Sequence, residues 1–214
     1  MQPDHDTVTD GILDAEKWKV TDPKLLFLFK ESTKRSGWTD IAGNPIVLKN
    51  GDNRRFWPNV VRWKHAIYGV FNEHRVPPYP SDEEIKEYRI NNGYLDEIAY
   101  VNFNKKLGES TSDNGLIARI ASANRNALSN QINSIAPKVV YCCRTNLNAY
   151  KAIYPDARIE NLAQDIYTHN QRFIITFYHP SYWCIRRERL YQMLSDILSQ
   201  PAFVNRLKAP ATSC

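Results

Sequence analysis

Three polar residues with chemical potential each lie at the end of an apolar run typical of a buried strand. They are Glu31, Asn102 and His179. A carboxylate and an imidazole at one edge of a sheet can act as acid and base, or can stabilise opposite charges in one transition state. A carboxamide offers a donor and an acceptor for reading a ligand's polar edge. Each residue also has a purely structural interpretation. Glu31 could pair with a neighbouring lysine, Asn102 could cap a loop, and His179 could form a hydrogen bond within a turn.

These side chains can meet only if the apolar runs pair in one sheet. Continuous runs at 25–29, 98–103, 138–143 and 173–178 are typical of strands covered on both faces. Segments with helical periodicity separate them, and this alternation predicts a parallel sheet whose carboxyl ends bind ligands. We therefore expect an α/β fold, a three-layer α/β/α sandwich around a central, mainly parallel four-stranded sheet.

Three segments carry the apolar stripe of an amphipathic helix. Their ranges are 56–70, 116–135 and 190–198. The second has Ser110, Ser112 or Asp113 as candidate N-caps, and the third ends before Pro201. Residues 157–172 predict a short hairpin or an extra strand before the last apolar run.

Length and composition favour one domain over residues 1–214, with 1–22 as an N-terminal extension and 201–214 as a C-terminal tail. The chain is 43% hydrophobic and 12% aromatic, which is enough for a substantial core. No apolar run approaches the roughly 18 residues of a membrane helix. The opening MQPDHDTVTD lacks the features of a signal or transit peptide. We expect a soluble, cytoplasmic monomer without a membrane partner.

Positive charge is concentrated in the second half of the chain. Residues 101–214 carry 14 Lys and Arg against 7 Asp and Glu, within a net charge of +5. This asymmetry favours a basic face that could meet phosphates, although ordinary surfaces show similar asymmetry.

The four cysteines lack the paired spacing of a zinc site or a disulfide framework. Cys142 and Cys143 are adjacent in an apolar run and are expected to fill a buried strand. No metal ligand set is predicted.

Taken in order, the strand ends resemble the motifs of the uracil-DNA glycosylase superfamily. HPS at 179–181 resembles its second signature, and LLFLFKES at 25–32 resembles its first strand and motif, roughly G-E-x-P-G in the iron–sulfur branch. The Asn-rich end of the second run resembles N-x-x-K, and IAPKVVYCCRTNLNAY resembles I-x-P-x-V-I-V-x-L-G. RRFWPNVVRWKHAIYG resembles the region that supplies a stacking Phe. The ordered set, more than any single motif, carries the resemblance.

The resemblance implies a monofunctional DNA glycosylase that flips a base out of the stack and hydrolyses its N-glycosidic bond. Glu31 would favour the cationic sugar and orient water, and His179 would hydrogen-bond the departing base. Phe56 would stack on the base and Asn102 would read its edge. The remaining base-contact candidates are Lys30 and Ser32.

The chain departs from the family pattern at several positions. Lys30 stands where the family has Gly, and Thr33 where it has Pro. The iron–sulfur cysteines are absent, so we expect no cluster and no other cofactor. Ser32 stands where several branches keep an Asp or Asn that positions the attacking water. Here that role would fall to Glu31, or to Asp40 in the long polar loop 32–55.

DNA is the expected partner, either single-stranded or double-stranded around a flipped base. By resemblance, Ser181 contacts a phosphate beside the flipped nucleotide, and Tyr182 and Trp183 enter the gap in the stack. Basic residues near two strand ends would neutralise other phosphates. They are Lys105, Lys106, Arg186 and Arg187.

Two other functions remain open. The protein could be an inactive nucleic-acid-binding module on the same fold, as the altered first motif suggests. A small-molecule enzyme would need a phosphate-binding glycine loop, but the first glycine after the 25–29 run is Gly37, too late for that loop. Within the glycosylase interpretation, the substrate is a uracil-like or modified base, for instance a modified pyrimidine in phage DNA cleared as antiviral defence.

Overall fold

A computed structural model describes residues 10–31, 55–90, 92–106, 113–143 and 146–209. In these ranges the protein is an α/β fold with one seven-stranded mixed sheet and eight α-helices. The strands are β1 (Gly11–Ile12), β2 (Leu25–Phe29), β3 (Ile98–Asn102), β4 (Val139–Cys143), β5 (Glu160–Ala163), β6 (Ile166–His169) and β7 (Arg172–Phe177). The helices are α1 (Ala15–Val20), α2 (Phe56–Glu73), α3 (Asp82–Ile90), α4 (Asn114–Ala123), α5 (Arg125–Ile135), α6 (Leu147–Ile153), α7 (Arg187–Leu198) and α8 (Pro201–Lys208).

The sheet has the order β1-β3-β2-β4-β7-β6-β5, and its four central strands are parallel. These four are the strands predicted from the apolar runs. The expected total of four was wrong, because β1, β5 and β6 add antiparallel strands at the two edges. Edge strands of two to four residues, partly buried or exposed at most positions, leave no continuous apolar run. The hairpin expected within 157–172 is confirmed as β5 and β6.

Side chains alternate between the two faces of the sheet and build a separate core on each. On one face, Phe27 and Phe29 of β2 pack with α2, α7 and α8. On the other face, Leu26 and Leu28 pack with α1, α4, α5 and α6. Every residue of β2, β3 and β4 is buried, as expected for parallel strands between two helical layers. Cys142 and Cys143 lie in β4 and are buried.

The first and third apolar stripes form α2 and α7, as predicted. The single stripe over 116–135 is instead divided into α4 and α5 at Asn124, whose side chain donates to the Ile120 carbonyl (2.9 Å). An Asn side chain that binds the backbone in this way competes with helix continuation. Leu116 of the predicted stripe is exposed, and Ile117 is buried instead.

Residues assigned to the terminal extensions belong partly to regular structure. Within 1–22, β1 pairs with β3 and α1 buries Trp18. Within 201–214, α8 buries Phe203 between Phe71 and Phe173.

Asp10 joins the β1 edge of the sheet to α5. Its side chain is 2% exposed and accepts hydrogen bonds from the Asn102 N–H (2.6 Å), Lys105 Nζ (2.6 Å) and Gln131 Nε2 (2.8 Å). A buried carboxylate is tolerated only with such complete pairing. Lys105 belongs to a structural ion pair, since its Nζ lies 2.6 Å from Asp10 Oδ1. Burial lowers the pKa of Lys105, and the charge of Asp10 opposes this shift.

We expect Asp10→Ala to lower the free energy of unfolding by about 3–5 kcal/mol, because it leaves a partly buried ammonium and a strand amide without their acceptor. Asp22→Ala is the matched control, since the Asp22–Lys138 pair (3.3 Å) is exposed on both sides and should contribute less than about 1 kcal/mol. Urea unfolding of both variants measures the difference. Equal effects would mean that the Asp10 cluster is not structural.

Candidate active site at the carboxyl rim

The four parallel strands bring their following residues to one edge of the sheet, here termed the carboxyl rim. Lys30 and Glu31 follow β2, Asn102 ends β3 and His179 lies two residues after β7. The first described helix after β2 is α2, which packs on one face of the sheet, and the first after β4 is α6, which packs on the other face. In open parallel sheets, ligands usually bind in the crevice at such a reversal between adjacent strands.

Glu31 is half-buried and is oriented by Asn104, two residues after β3. The Lys106 N–H donates to Asn104 Oδ1 (3.1 Å), so the Asn104 amide nitrogen must face the other way. It donates to Glu31 Oε2 at 3.0 Å. The backbone supports this contact, because the Asn104 N–H donates to the Lys30 carbonyl (2.9 Å). Glu31 is therefore a positioned carboxylate rather than a mobile surface group.

The hydrogen bonds of His179 define its tautomer. Its Nδ1 accepts from the Ser181 backbone N–H at 3.2 Å. A neutral imidazole that accepts at Nδ1 carries its proton on Nε2. The side chain thus offers a single N–H donor at Nε2.

The surroundings of His179 keep it neutral. His179 is exposed by surface area, yet its ring lies close to two aromatic rings, with centroids 5.8 Å from Phe29 and 5.6 Å from Phe56. Burial and the nearby positive charge of Lys30 lower the pKa of His179 to about 4. We therefore expect the imidazole to be an uncharged hydrogen-bond donor at neutral pH.

The turn that carries His179 is fixed from two neighbouring elements. Asn59 of α2 is buried and donates to the Pro180 carbonyl (2.6 Å), while Arg55 reaches the Tyr182 carbonyl (3.4 Å). Tyr141 of β4 donates through its hydroxyl to the Tyr178 carbonyl (2.7 Å). Three side chains from two elements thus hold the backbone on both sides of the imidazole, which is the support a preorganised site requires.

Phe56 begins α2 and is 8% exposed. Its ring packs against Phe29 (5.1 Å), Trp57 (4.8 Å) and His179 (5.6 Å). Most of its surface therefore belongs to the core, and this structural role competes with the predicted role in base stacking. Only its remaining edge is open to a ligand.

Asn102 and Asn146 place two more amides at the rim. Asn102 is buried and lies beside Phe29 in the strand register, so its side chain lies on the same sheet face as Phe29. Asn146, just before α6, is completely buried and donates to the Leu28 carbonyl (3.3 Å). Its Oδ1 has no donor among the described residues. An unsatisfied buried acceptor of this kind calls for an explanation.

The predicted DNA contacts are distributed along one segment after His179. Ser181 and Tyr182 are half-buried, Trp183 is 75% exposed, and Arg186 and Arg187 lie at the start of α7. On the other side of the rim, Lys106 is exposed, but the ion pair with Asp10 occupies Lys105. Ser32 and Asp40 lie outside the described residues.

Sequence patterns missed the groups that orient the predicted ones. Asn59 and Tyr141 are polar members of otherwise apolar stripes, a signal that marks buried hydrogen bonds without naming their partners. Asn104 was indistinguishable from Asn102 in the Asn-rich end of the second run.

Comparison with known proteins supplies no family for the chain. No protein-family model matches it, and no curated protein matches it significantly.

Among the described residues, no three His, Cys, Asp or Glu side chains are grouped as metal ligands. No helix in those residues is long and apolar enough to cross a membrane.

We expect ¹⁵N NMR of histidine-labelled protein, with His179 assigned from a His179→Gln variant, to show the neutral Nε2-protonated form at pH 6. Protonation should begin only as the pH approaches 4. Since the unfolded imidazole titrates near pH 6.5, the unfolded state binds more protons between these values, and His179 should make the protein less stable as the pH falls through this window. A cationic His179 at pH 6 would contradict this assignment.

Phe56→Ala should lower the free energy of unfolding by about 3–5 kcal/mol, because it removes a ring that is almost entirely buried. Phe56→Leu, which keeps most of the buried volume, should cost markedly less. Thermal and urea unfolding test both variants. An Ala variant as stable as the original protein would assign Phe56 to ligand contact instead of the core.

Proposed function

We propose that the protein is a DNA glycosylase that hydrolyses the N-glycosidic bond of a flipped base and leaves an abasic site. The observation that carries this proposal is that one rim holds both an Nε2–H donor, at His179, and a positioned carboxylate, at Glu31. The four parallel strands on which the resemblance to the uracil-DNA glycosylase superfamily rests are adjacent in the sheet, and this arrangement supports it.

Breaking a C1′–N bond gives the sugar positive charge and the departing base negative charge. In the proposed reaction, His179 Nε2–H donates to the base oxygen that gains negative charge. Glu31 faces the developing cation, orients the water whose oxygen bonds to C1′ and accepts the proton that this water loses, while solvent protonates the base anion after it departs. Fixed groups that match charges formed only in the transition state raise the rate rather than tighten substrate binding. An uncharged His179 is suited to this role, since it need not release a proton to stabilise the base.

The flipped base would lie over the crevice between β2 and β4. Asn102, and the unsatisfied Oδ1 of Asn146, would read its polar edge, while the open edge of Phe56 contacts one side of its ring. Lys30, whose charge reaches both His179 and Cys143, would lie beside the base. These contacts suit a uracil-like or modified pyrimidine, including a modified base of phage DNA.

The DNA backbone would follow the segment from Ser181 to Arg187. Trp183, whose large ring is 75% exposed, is the proposed wedge that fills the gap left by the flipped nucleotide. Ser181, Tyr182 and Arg186 would contact the adjacent backbone. Lys106 remains a candidate phosphate contact, whereas Lys105 is left out because of its ion pair.

A panel of oligonucleotide duplexes tests the activity, each containing one uracil, hypoxanthine or 5-hydroxymethylcytosine. Alkaline heating should cleave the strand at the excised position, and mass spectrometry should detect the free base. Phage DNA with modified cytosines extends the panel. Binding without base release on every substrate would favour the inactive nucleic-acid-binding module.

We expect Glu31→Gln to lower the single-turnover rate of base release by roughly 100-fold or more, because it removes the charge that opposes the cationic sugar. The amide retains an oxygen that can accept from Asn104, so folding should be preserved. DNA affinity should persist or rise slightly, as one negative charge leaves a phosphate-binding surface. Release at the original rate would exclude Glu31, and Asp40 would become the next carboxylate to test.

A further inference from the structure

Arg62 is a charged residue in an unexpected position. It lies in the middle of α2 and is 1% exposed. Its Nη2 contacts Asp82 at the start of α3, and the Tyr79 ring covers its guanidinium at 5.0 Å. Its Nε and Nη1 are buried and have no acceptor among the residues that the structure describes. Two unused donors on a buried cation are costly, and such groups in a folded protein call for an explanation.

The acceptor that Arg62 does have is itself largely in solvent. The Asp82 side chain is 68% exposed, and the same Oδ1 also accepts from Arg187 Nη1 at 3.4 Å. Two guanidinium groups thus share one carboxylate oxygen. The ion-pair cluster, meaning Arg62, Asp82 and Arg187, carries two positive charges against one negative charge, and the unused donors are those of Arg62.

Asp82 is not required to start its helix. Ser81 Oγ accepts from the Glu84 N–H (3.1 Å), and Glu84 Oε2 accepts from the Ser81 N–H (2.8 Å). This reciprocal capping box already satisfies the first turn of α3. The carboxylate of Asp82 is therefore free to move without loss of the helix end.

The cluster lies beside the proposed DNA-binding segment. Arg55, Asn59 and Arg62 are spaced four and three residues apart, so they lie on one side of α2. The first two bind the carbonyls of Tyr182 and Pro180, and the third meets Arg187 through Asp82. One side of α2 thus follows the chain from the His179 turn to the start of α7.

We propose that Arg62 and Arg187 form a binding site for a backbone phosphate of nucleic acid, which Asp82 occupies in the free protein and leaves when nucleic acid binds. This inference rests on the nucleic-acid binding of the proposed function, but not on base excision. A phosphate has more acceptor oxygens than a carboxylate and can pair with both guanidinium groups. Because Asp82 is exposed, it can turn into solvent, where its carboxylate is well hydrated.

Asp82→Asn and Glu83→Gln form a matched pair for the test. Each removes one negative charge from the first turn of α3, but only Asp82 contacts the arginines. Fluorescence anisotropy should measure the affinity of each for a labelled duplex with a stable abasic-site analogue, between roughly 50 and 200 mM salt. Asp82→Asn should bind about threefold to tenfold more tightly than Glu83→Gln, since nucleic acid no longer has to break the ion pair.

Arg187→Met provides a second test of the site and leaves the buried Arg62 in place. Arg187→Met should weaken binding and reduce the slope of log affinity against log salt by about one phosphate contact. In the double variant Asp82→Asn/Arg187→Met, most of the gain in affinity caused by Asp82→Asn should be lost. Inorganic phosphate at millimolar concentration should raise the melting temperature of Asp82→Asn more than that of Glu83→Gln. Equal affinities of the two variants, or unchanged binding by Arg187→Met, would overturn the phosphate site. Tighter binding by Asp82→Asn without any base release would instead refute the glycosylase activity and leave this site standing.

Discussion

Parallel pairing of β2 with both β3 and β4 is the constraint on which the rest of the structure depends. It places three strand ends side by side, so residues separated by more than seventy positions, such as Glu31 and Asn104, become hydrogen-bonded neighbours. The helices that follow β2 and β4, α2 and α6, pack on opposite faces of the sheet, the arrangement at which ligands usually bind. A strand covered on both faces must be apolar throughout, and polar chemistry is confined to the positions where it ends.

The surroundings of His179 show how an apolar layer sets the state of a polar group. His179 is exposed, but its ring lies against Phe29 and Phe56, and this partial desolvation and the adjacent Lys30 both lower the pKa of the imidazole. Hydrogen bonds from Asn59 and Tyr141 then fix the backbone on both sides of the ring. Orientation and protonation state thus have separate causes: backbone anchoring gives the first, while packing and charge give the second.

The sequence was informative where apolar residues recurred over a whole element. The four core strands and helices α2 and α7 could be predicted because burial on both faces, or along one stripe, leaves a long apolar pattern. The β1 edge could not, since two residues carry no periodicity and their position depends on Asp10. The break at Asn124 depended on one side-chain hydrogen bond. At the rim, residue type identified Glu31 and His179, whereas their orientation depends on Asn104 and Asn59, whose partners are distant in the chain.

The bonds of Asp10 have a consequence for the order in which the chain assembles. They connect it to Asn102, Lys105 and Gln131, at sequence separations of 92, 95 and 121 residues. Closing loops of this length has a large entropic cost, and the gain comes only after the intervening strands have formed. During synthesis from the N-terminus, the segment around β1 must wait until residues as far as α5 have left the ribosome. The first described residues of the chain thus wait for partners that are made up to 121 residues later.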